Sequence, residues 1–249
     1  MKTKWDYTKL ADSYLKRPDY SPTAIDKMFE VANLKKEDKA CDVGAGVAHL
    51  TLELNKRGLI VDAVEPNDAM RKNGIFRTKN MGINWFEGTG EKTGRINSYY
   101  DIVTFGSSFN VCDRDSALAE SNRILKDQGW FACMWNHRDI ENNKSQIDIE
   151  SIIKKNIKGY VYGTRRENQT ELINKNSYFG DSLYIEGSVT HNLKIVEQIE
   201  AWKSHATLQR QAGENFFKII EEIEDYYNSL NSNFVEINYT TRIWMAKKK

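Results

Sequence analysis

Asp42-Val-Gly44-Ala-Gly46-Val-Ala48-His49 follows the apolar run Ala40–Val43 and opens into the helical pattern of His49–Arg57. Two glycines between a strand and a helix have a clear physical use. Without Cβ atoms the backbone turns sharply and a ligand comes close to it, while the first helical turn offers unpaired N–H groups. A nucleotide-like ligand fits such a turn. The dinucleotide fingerprint G-x-G-x-x-G/A would put its third small residue at His49, too large for the close helix–strand contact made there. An NAD(P)-dependent oxidoreductase is therefore the alternative reading, not the leading one.

Outward from this turn, short apolar runs alternate with helical patterns. Strands are predicted at Ala40–Val43, Ile60–Val64, Ile83–Phe86, Asp101–Phe105 and Trp130–Trp135. Helices are predicted over His49–Arg57, Asp68–Lys79 and Asp115–Leu125, the last capped by Asp115 and followed by a turn at Gly129. This alternation belongs to a parallel sheet covered on both faces, an α/β fold. Upstream, Ile25, Met28, Phe29 and Ala32 at helical spacing predict a helical lid over 1–39, interrupted at Pro18 and Pro22. Residues 139–182 are polar, with helical Ile149, Ile152, Ile153 and Ile157 and turns at Gly159, Gly163 and Gly180, and read as an inserted cap. Residues 183–249 hold a strand near Leu183–His191, a long helical region Ile195–Leu230 and the alternating run Phe234–Met245. One domain of 1–249 is expected, with 40–138 as its ligand-binding core.

Composition removes whole classes. With 249 residues, 40% hydrophobic, 29% charged and only 3 prolines, the chain is neither disordered nor collagen-like. Its formal net charge of +1 supplies no field toward nucleic acid, and Lys35-Lys36 and Lys247–Lys249 are too short to supply one locally. No apolar stretch approaches ~20 residues, and no apolar signal region follows Met1, so neither a membrane nor nucleic acid is an expected partner and the cytoplasm is the expected location. Phe216, Phe217, Ile219, Ile220, Ile223 and Tyr227 read as helix core. Cys41, Cys112 and Cys133 lack metal-ligand spacing and read as reduced thiols, so no metal is expected. Oligomeric state stays open.

Glu65 lies 23 residues beyond Asp42 at the end of the second predicted strand. A carboxylate there accepts two hydrogen bonds from vicinal ribose hydroxyls, whichever nucleotide is bound. The turn itself resembles the acidic-x-G-x-G-x-G loop of class I S-adenosylmethionine-dependent methyltransferases, with Asp42 as the acid and Ala48 at the last glycine. Gly88-Thr89-Gly90-Glu91 stands where these enzymes often carry G-D-A against adenine, Thr89 replacing the acid. Gly106-Ser107-Ser108-Phe109-Asn110 is not the N/D-P-P-Y motif of enzymes acting on DNA or protein nitrogens. The opening Tyr14-Leu-Lys-Arg17-Pro18-Asp-Tyr20, the span Gly88–Leu125 and the closing Val235–Trp244 resemble the small-molecule, trans-aconitate methyltransferase group.

That resemblance implies a Rossmann-like, doubly wound, seven-stranded and mainly parallel sheet with an antiparallel final strand and a mostly helical cap. It implies S-adenosylmethionine as cofactor and a small polar metabolite as substrate. Cofactor contacts are expected from Asp42, Gly44, Ala45, Gly46 and Glu65, from Pro66 and Met70 as an apolar wall for adenine, and from Thr89, Gly90, Glu91, Gly106 and Ser107. Tyr14 and Arg17 would close the methionine end, Arg17 pairing its carboxylate.

Methyl transfer from sulfur asks the protein chiefly to align the acceptor and exclude water. Trp135-Asn-His137-Arg138 ends the fifth strand on the edge where ligands of such sheets gather, with His137 as candidate base and Arg138 as anion clamp. His205 is a second candidate base, one helical turn from Trp202. Asn110, Trp135, Arg138 and Trp202 are expected against the acceptor, and Arg165 and Arg166 are further anion-binding candidates. O-methylation is expected ahead of N-methylation, on a sugar or surface-glycan precursor or a small carboxylic or phosphate-type acid. A non-catalytic S-adenosylmethionine-binding protein is the other competing class.

Overall fold

The computed structural model describes residues 8–162, 166–203 and 205–249, so the turn expected at Gly163 and the candidate Arg165 lie outside the described residues. Seven strands form one sheet: β1 (Lys39–Val43), β2 (Ile60–Val64), β3 (Asn84–Phe86), β4 (Tyr100–Gly106), β5 (Leu125–Arg138), β6 (Leu183–Lys194) and β7 (Phe234–Lys247). Their spatial order is β3-β2-β1-β4-β5-β7-β6. The pairs β1/β2, β1/β4, β2/β3 and β4/β5 are parallel, and β7 lies antiparallel between β5 and β6. The chain order thus reverses direction of travel at β1/β4, where the crevice of an open parallel sheet forms.

Ten α-helices are described: α1 (Ala11–Tyr14), α2 (Pro22–Ala32), α3 (His49–Lys56), α4 (Asp68–Arg77), α5 (Arg114–Ile124), α6 (Lys144–Asn156), α7 (Thr170–Lys175), α8 (Ile195–Lys203), α9 (Ala206–Ala212) and α10 (Phe216–Ser229). Pro22 sits at the first position of α2, where its missing N–H costs nothing, and Asn33 ends that helix at φ +52°. Asp113, not Asp115, caps α5: its carboxylate accepts the Ser116 N–H at 3.0 Å, which leaves Asp115 inside the first turn. Leu125 already belongs to β5, opposite Tyr100, and Gly129 falls within a register shift of that strand, beside Gln128 at φ +66°. The long helical region 195–230 is divided into three α-helices. His205 restarts the chain by accepting the Leu208 N–H through Nδ1, and Gly213 at φ +54° divides α9 from α10.

Three apolar clusters hold these layers together. One face of the sheet buries Phe105, Phe109, Phe131, Trp135 and Phe179; the other buries Ile25, Met28, Leu50, Leu54 and Met134. A third cluster joins α6, α8 and α10 to the outer half of β7 through Ile149, Ile199, Trp202, Ile219, Ile223 and Ile237. Each such side chain contributes ~1.5–3 kcal/mol on burial. Phe217 is not part of α10's core face; it is 79% exposed because it lies about 100° from Phe216 around the helix. Cys41, Cys112 and Cys133 are free thiols. Among the described residues, no helix is long and apolar enough to cross a membrane and no His/Cys/Asp/Glu group suits a metal ion.

Candidate active site

The turn after β1 shows why its residues are small. Gly44, Gly46 and Ala48 adopt φ of +68°, +56° and +76°. A Cβ on Gly44 would also stand 2.4 Å from the Ser108 Cβ, so glycine is required there by both conformation and space. Ala48, fully buried, takes the left-handed conformation that a glycine would adopt more easily.

Two carboxyls frame this turn. Asp42 is wholly buried and accepts the hydroxyls of Thr51 at 2.6 Å and Thr104 at 3.0 Å. Burial lifts its pKa to about 6, against the lowering effect of those two bonds. Its role is to tie β1, α3 and β4 together beneath the loop. Glu65 is 6% exposed; its Oε2 accepts the Gly46 N–H at 2.9 Å and its Oε1 the Asn67 N–H at 2.8 Å. Burial raises its pKa, partly offset by the two backbone bonds. Each oxygen retains a lone pair, so the carboxylate suits a pair of vicinal hydroxyls.

Around them the structure gathers one cavity of about 930 Å³, at the upper end of the ~300–1,000 Å³ range for ligand sites. Asp42, Gly44, Ala45, Gly46, Glu65, Pro66 and Met70 line it, as do Thr89, Gly90, Glu91, Gly106 and Ser107. Glu91 accepts the Asp113 N–H at 2.7 Å, which braces this floor against the start of α5. Tyr14 and Arg17 line the roof, the Arg17 guanidinium stacked 3.5 Å over the Tyr14 ring. The roof is fastened to the loop by His49, whose ring nitrogens lie 2.8 Å from the Tyr14 carbonyl and 2.9 Å from the Asp19 carboxylate.

Beyond the rim the cavity continues past Asn110, His137 and Arg138 toward Trp202 and His205. Among the described residues, Trp135 is the one sequence-predicted site residue that does not line it. Strand alternation places Trp135 with Phe131 and Cys133 on the phenylalanine-rich face, fully buried and 5.9 Å from Trp244. Its indole N–H instead donates to Asn110 Oδ1 at 2.9 Å, holding a residue that does line the cavity. Trp202 lies in the last turn of α8 and His205 is the N-cap of α9, so they do not share one helical face; their rings stack at 5.2 Å and 21°.

The sequence reasoning missed Tyr20, Asn136, Glu150, Tyr162, Gln198 and Tyr239 as lining residues. Asn136 was adjacent to quoted residues; it donates to the Pro18 and Asp19 carbonyls and so pins the roof to β5. Tyr20 and Tyr239 lie in stretches quoted for the resemblance but carry no local signal of a lining role; Glu150, Tyr162 and Gln198 lie in the cap segments and carry none either.

Residues 41–133 match the family model described as a methyltransferase domain. An uncharacterised methyltransferase of Mycobacterium tuberculosis (strain ATCC 25618 / H37Rv) is 32% identical over 123 residues, 49% of this chain and 48% of that protein. A demethylmenaquinone methyltransferase of Staphylococcus carnosus is 32% identical over 114 residues, 43% of this chain and 47% of that protein. The chain thus spans about half the length of the curated relatives it matches. Among solved structures, the YcgJ protein of Bacillus subtilis aligns with TM-score 0.54 at 14% identity, covering 91% of this chain and 98% of that one. Haemonchus contortus phosphoethanolamine N-methyltransferase 2 aligns with TM-score 0.54 at 15% identity, covering 96% of this chain and 56% of that one. These two likenesses establish the fold.

Proposed function

We propose that this chain, whose residues 41–133 match the methyltransferase-domain model, is an S-adenosylmethionine-dependent enzyme that methylates a small polar molecule. The observation that carries this is the Glu65 carboxylate, buried in the cavity wall and held by the Gly46 N–H of the glycine turn. S-adenosylmethionine supplies an electrophilic methyl group on sulfur. Glu65 would accept its ribose hydroxyls, Pro66 and Met70 would flank its adenine with Thr89 and Gly90 opposite, and Tyr14 and Arg17 would close over its amino-acid end.

The chain's own residues then orient the acceptor and exclude water. Asn110, fixed by Trp135, and His137, 5% exposed at the rim, stand between the cofactor half and the cap half of the cavity. His137 would take the proton of a hydroxyl acceptor. Oxygen is the acceptor atom we favour over nitrogen. Carbon is a second reading, favoured by the similarity to the demethylmenaquinone methyltransferase and to ubiquinone/menaquinone biosynthesis C-methyltransferases of Shewanella.

The test is incubation with methyl-labelled S-adenosylmethionine and a fractionated small-molecule extract. Label passing into a small product supports the proposal. Label passing only into protein or nucleic acid, or oxidation of NADH in its place, would contradict it.

A further inference from the structure

The cap half of the cavity holds two guanidinium groups, Arg138 and Arg166, and among the described residues neither has a carboxylate ion-paired to it. Arg138 is stacked 4.3 Å from the Trp202 ring centre and donates through Nε to the Tyr239 hydroxyl at 3.3 Å. Arg166 lies 4.7 Å over the Tyr162 ring and donates to the Arg138 carbonyl at 3.2 Å. Both are thus held by aromatic faces and neutral oxygens. The one acid lining this half, Glu150, is 7% exposed and accepts the Tyr162 hydroxyl. Both arginines are half-buried, and Glu150 is, among the described residues, the single acid near the pair, so this half of the cavity holds more positive than negative charge and an anionic ligand would balance it. The surroundings of Arg166 push its pKa down, through burial first and then Arg242 and Arg138, against Tyr162 and Glu150. Gln198, 4% exposed on the same wall, keeps Oε1 buried without a hydrogen-bond partner.

We infer that the acceptor carries an oxyanion, a carboxylate or phosphate monoester, which docks on Arg138 and Arg166 as an anchor, with a hydrogen-bonding group beside it for Gln198. This deepens the proposed function and rests on it for the word acceptor. The anchor lies away from the glycine turn. Met134 pairs with Gly106 at the level where that turn begins, and Arg138 is four residues further along β5, about 13 Å at ~3.3 Å per residue. The anion therefore sets which molecule enters, and the atom receiving the methyl group lies elsewhere on that molecule.

The test is a thermal-shift and calorimetric screen in phosphate-free buffer, with and without saturating S-adenosylhomocysteine. Its probes are a panel of small carboxylates and phosphate monoesters, each against its neutral amide or ester. We expect several anions to raise Tm where their neutral counterparts do not. Arg138→Gln and Arg166→Gln, shown folded by circular dichroism, should bind those anions at least tenfold more weakly while S-adenosylhomocysteine affinity is unchanged. The readout that separates an anchor from a purely structural arginine is the ligand response: in Arg166→Gln the anion-dependent rise in Tm should shrink relative to wild type whatever the Tm of the unliganded variant, and a full-sized anion-dependent rise would overturn the assignment. Whether carboxylates or phosphates respond identifies the source of the anion. Neutral analogues binding equally well, anion binding that survives in the double variant, or no response across the panel would overturn the inference. Anion binding that persists where S-adenosylhomocysteine fails to bind would sink the cofactor assignment alone.

Discussion

His49 Nδ1 lies 2.9 Å from the Asp19 carboxylate, tying the first residue of α3 to the segment that crosses above the glycine turn. The other ring nitrogen meets the Tyr14 carbonyl at 2.8 Å, so one imidazole fastens both ends of the roof. His49→Ala should release it. Since Asp19 is 55% exposed, the loss in global stability should stay within ~1 kcal/mol. The expected signature is weaker S-adenosylhomocysteine binding, by several-fold, and faster tryptic cleavage after Lys16. Unchanged affinity and cleavage would show that His49 does not hold the roof.

Asp42 gives a pH signature with a definite sign. Its folded pKa, about 6, lies above the ordinary 3.8, so its contribution to stability is fully present below the ordinary value and is lost as pH rises through about 6. The loss is at most about 3 kcal/mol. Asp42→Asn cannot ionise, so its Tm relative to wild type should be higher at pH 8 than at pH 4.5. Parallel pH profiles for the two proteins would contradict the burial of this carboxyl.

Gly44→Ala should be severe, because its φ is +68° and the new methyl would meet Ser108 Cβ at 2.4 Å. Destabilisation of ~1–3 kcal/mol is expected, with loss of S-adenosylhomocysteine binding. Adding Ser108→Gly should restore only part of the stability, since the contact is relieved and the backbone conformation is not. Full recovery in calorimetry would mean that conformation is unimportant at this position.

Trp135→Phe keeps an aromatic ring in the core but deletes the N–H that holds Asn110. A cost of ~1 kcal/mol is expected from the lost bond, and S-adenosylhomocysteine affinity should be unchanged. Methyl transfer should fall through KM for the acceptor. An effect confined to cofactor affinity would place Asn110 on the wrong side of the cavity.

The cofactor half was legible because its requirements are local. Glycines at fixed offsets after a strand, and an acid at the end of the next, each answer to one backbone's geometry. The cap half was legible only in part: Arg138, Arg166, Trp202 and His205 are expected there and line it, while Glu150 on α6, Gln198 on α8 and Tyr239 on β7 join them only through tertiary packing. Trp135 shows the same limit at smaller scale. His137 and Arg138 line the cavity; Arg138 lies on the opposite face of the strand from Trp135, whereas His137 shares Trp135's face and is separated from it by its place further along β5 toward the strand end. The long helical region expected over 195–230 is helical, but its breaks at His205 and Gly213 were not legible, because a side-chain cap and a positive φ divide a nearly continuous apolar pattern.

Calorimetric titration of S-adenosylhomocysteine into the wild-type protein and Glu65→Ala tests the central claim most directly. A hydrogen bond to a charged group is worth ~1.5–3 kcal/mol, so one-to-one binding by the wild type and binding at least tenfold weaker in the variant are expected. No binding by the folded wild type, or equal affinity in the two proteins, would contradict it.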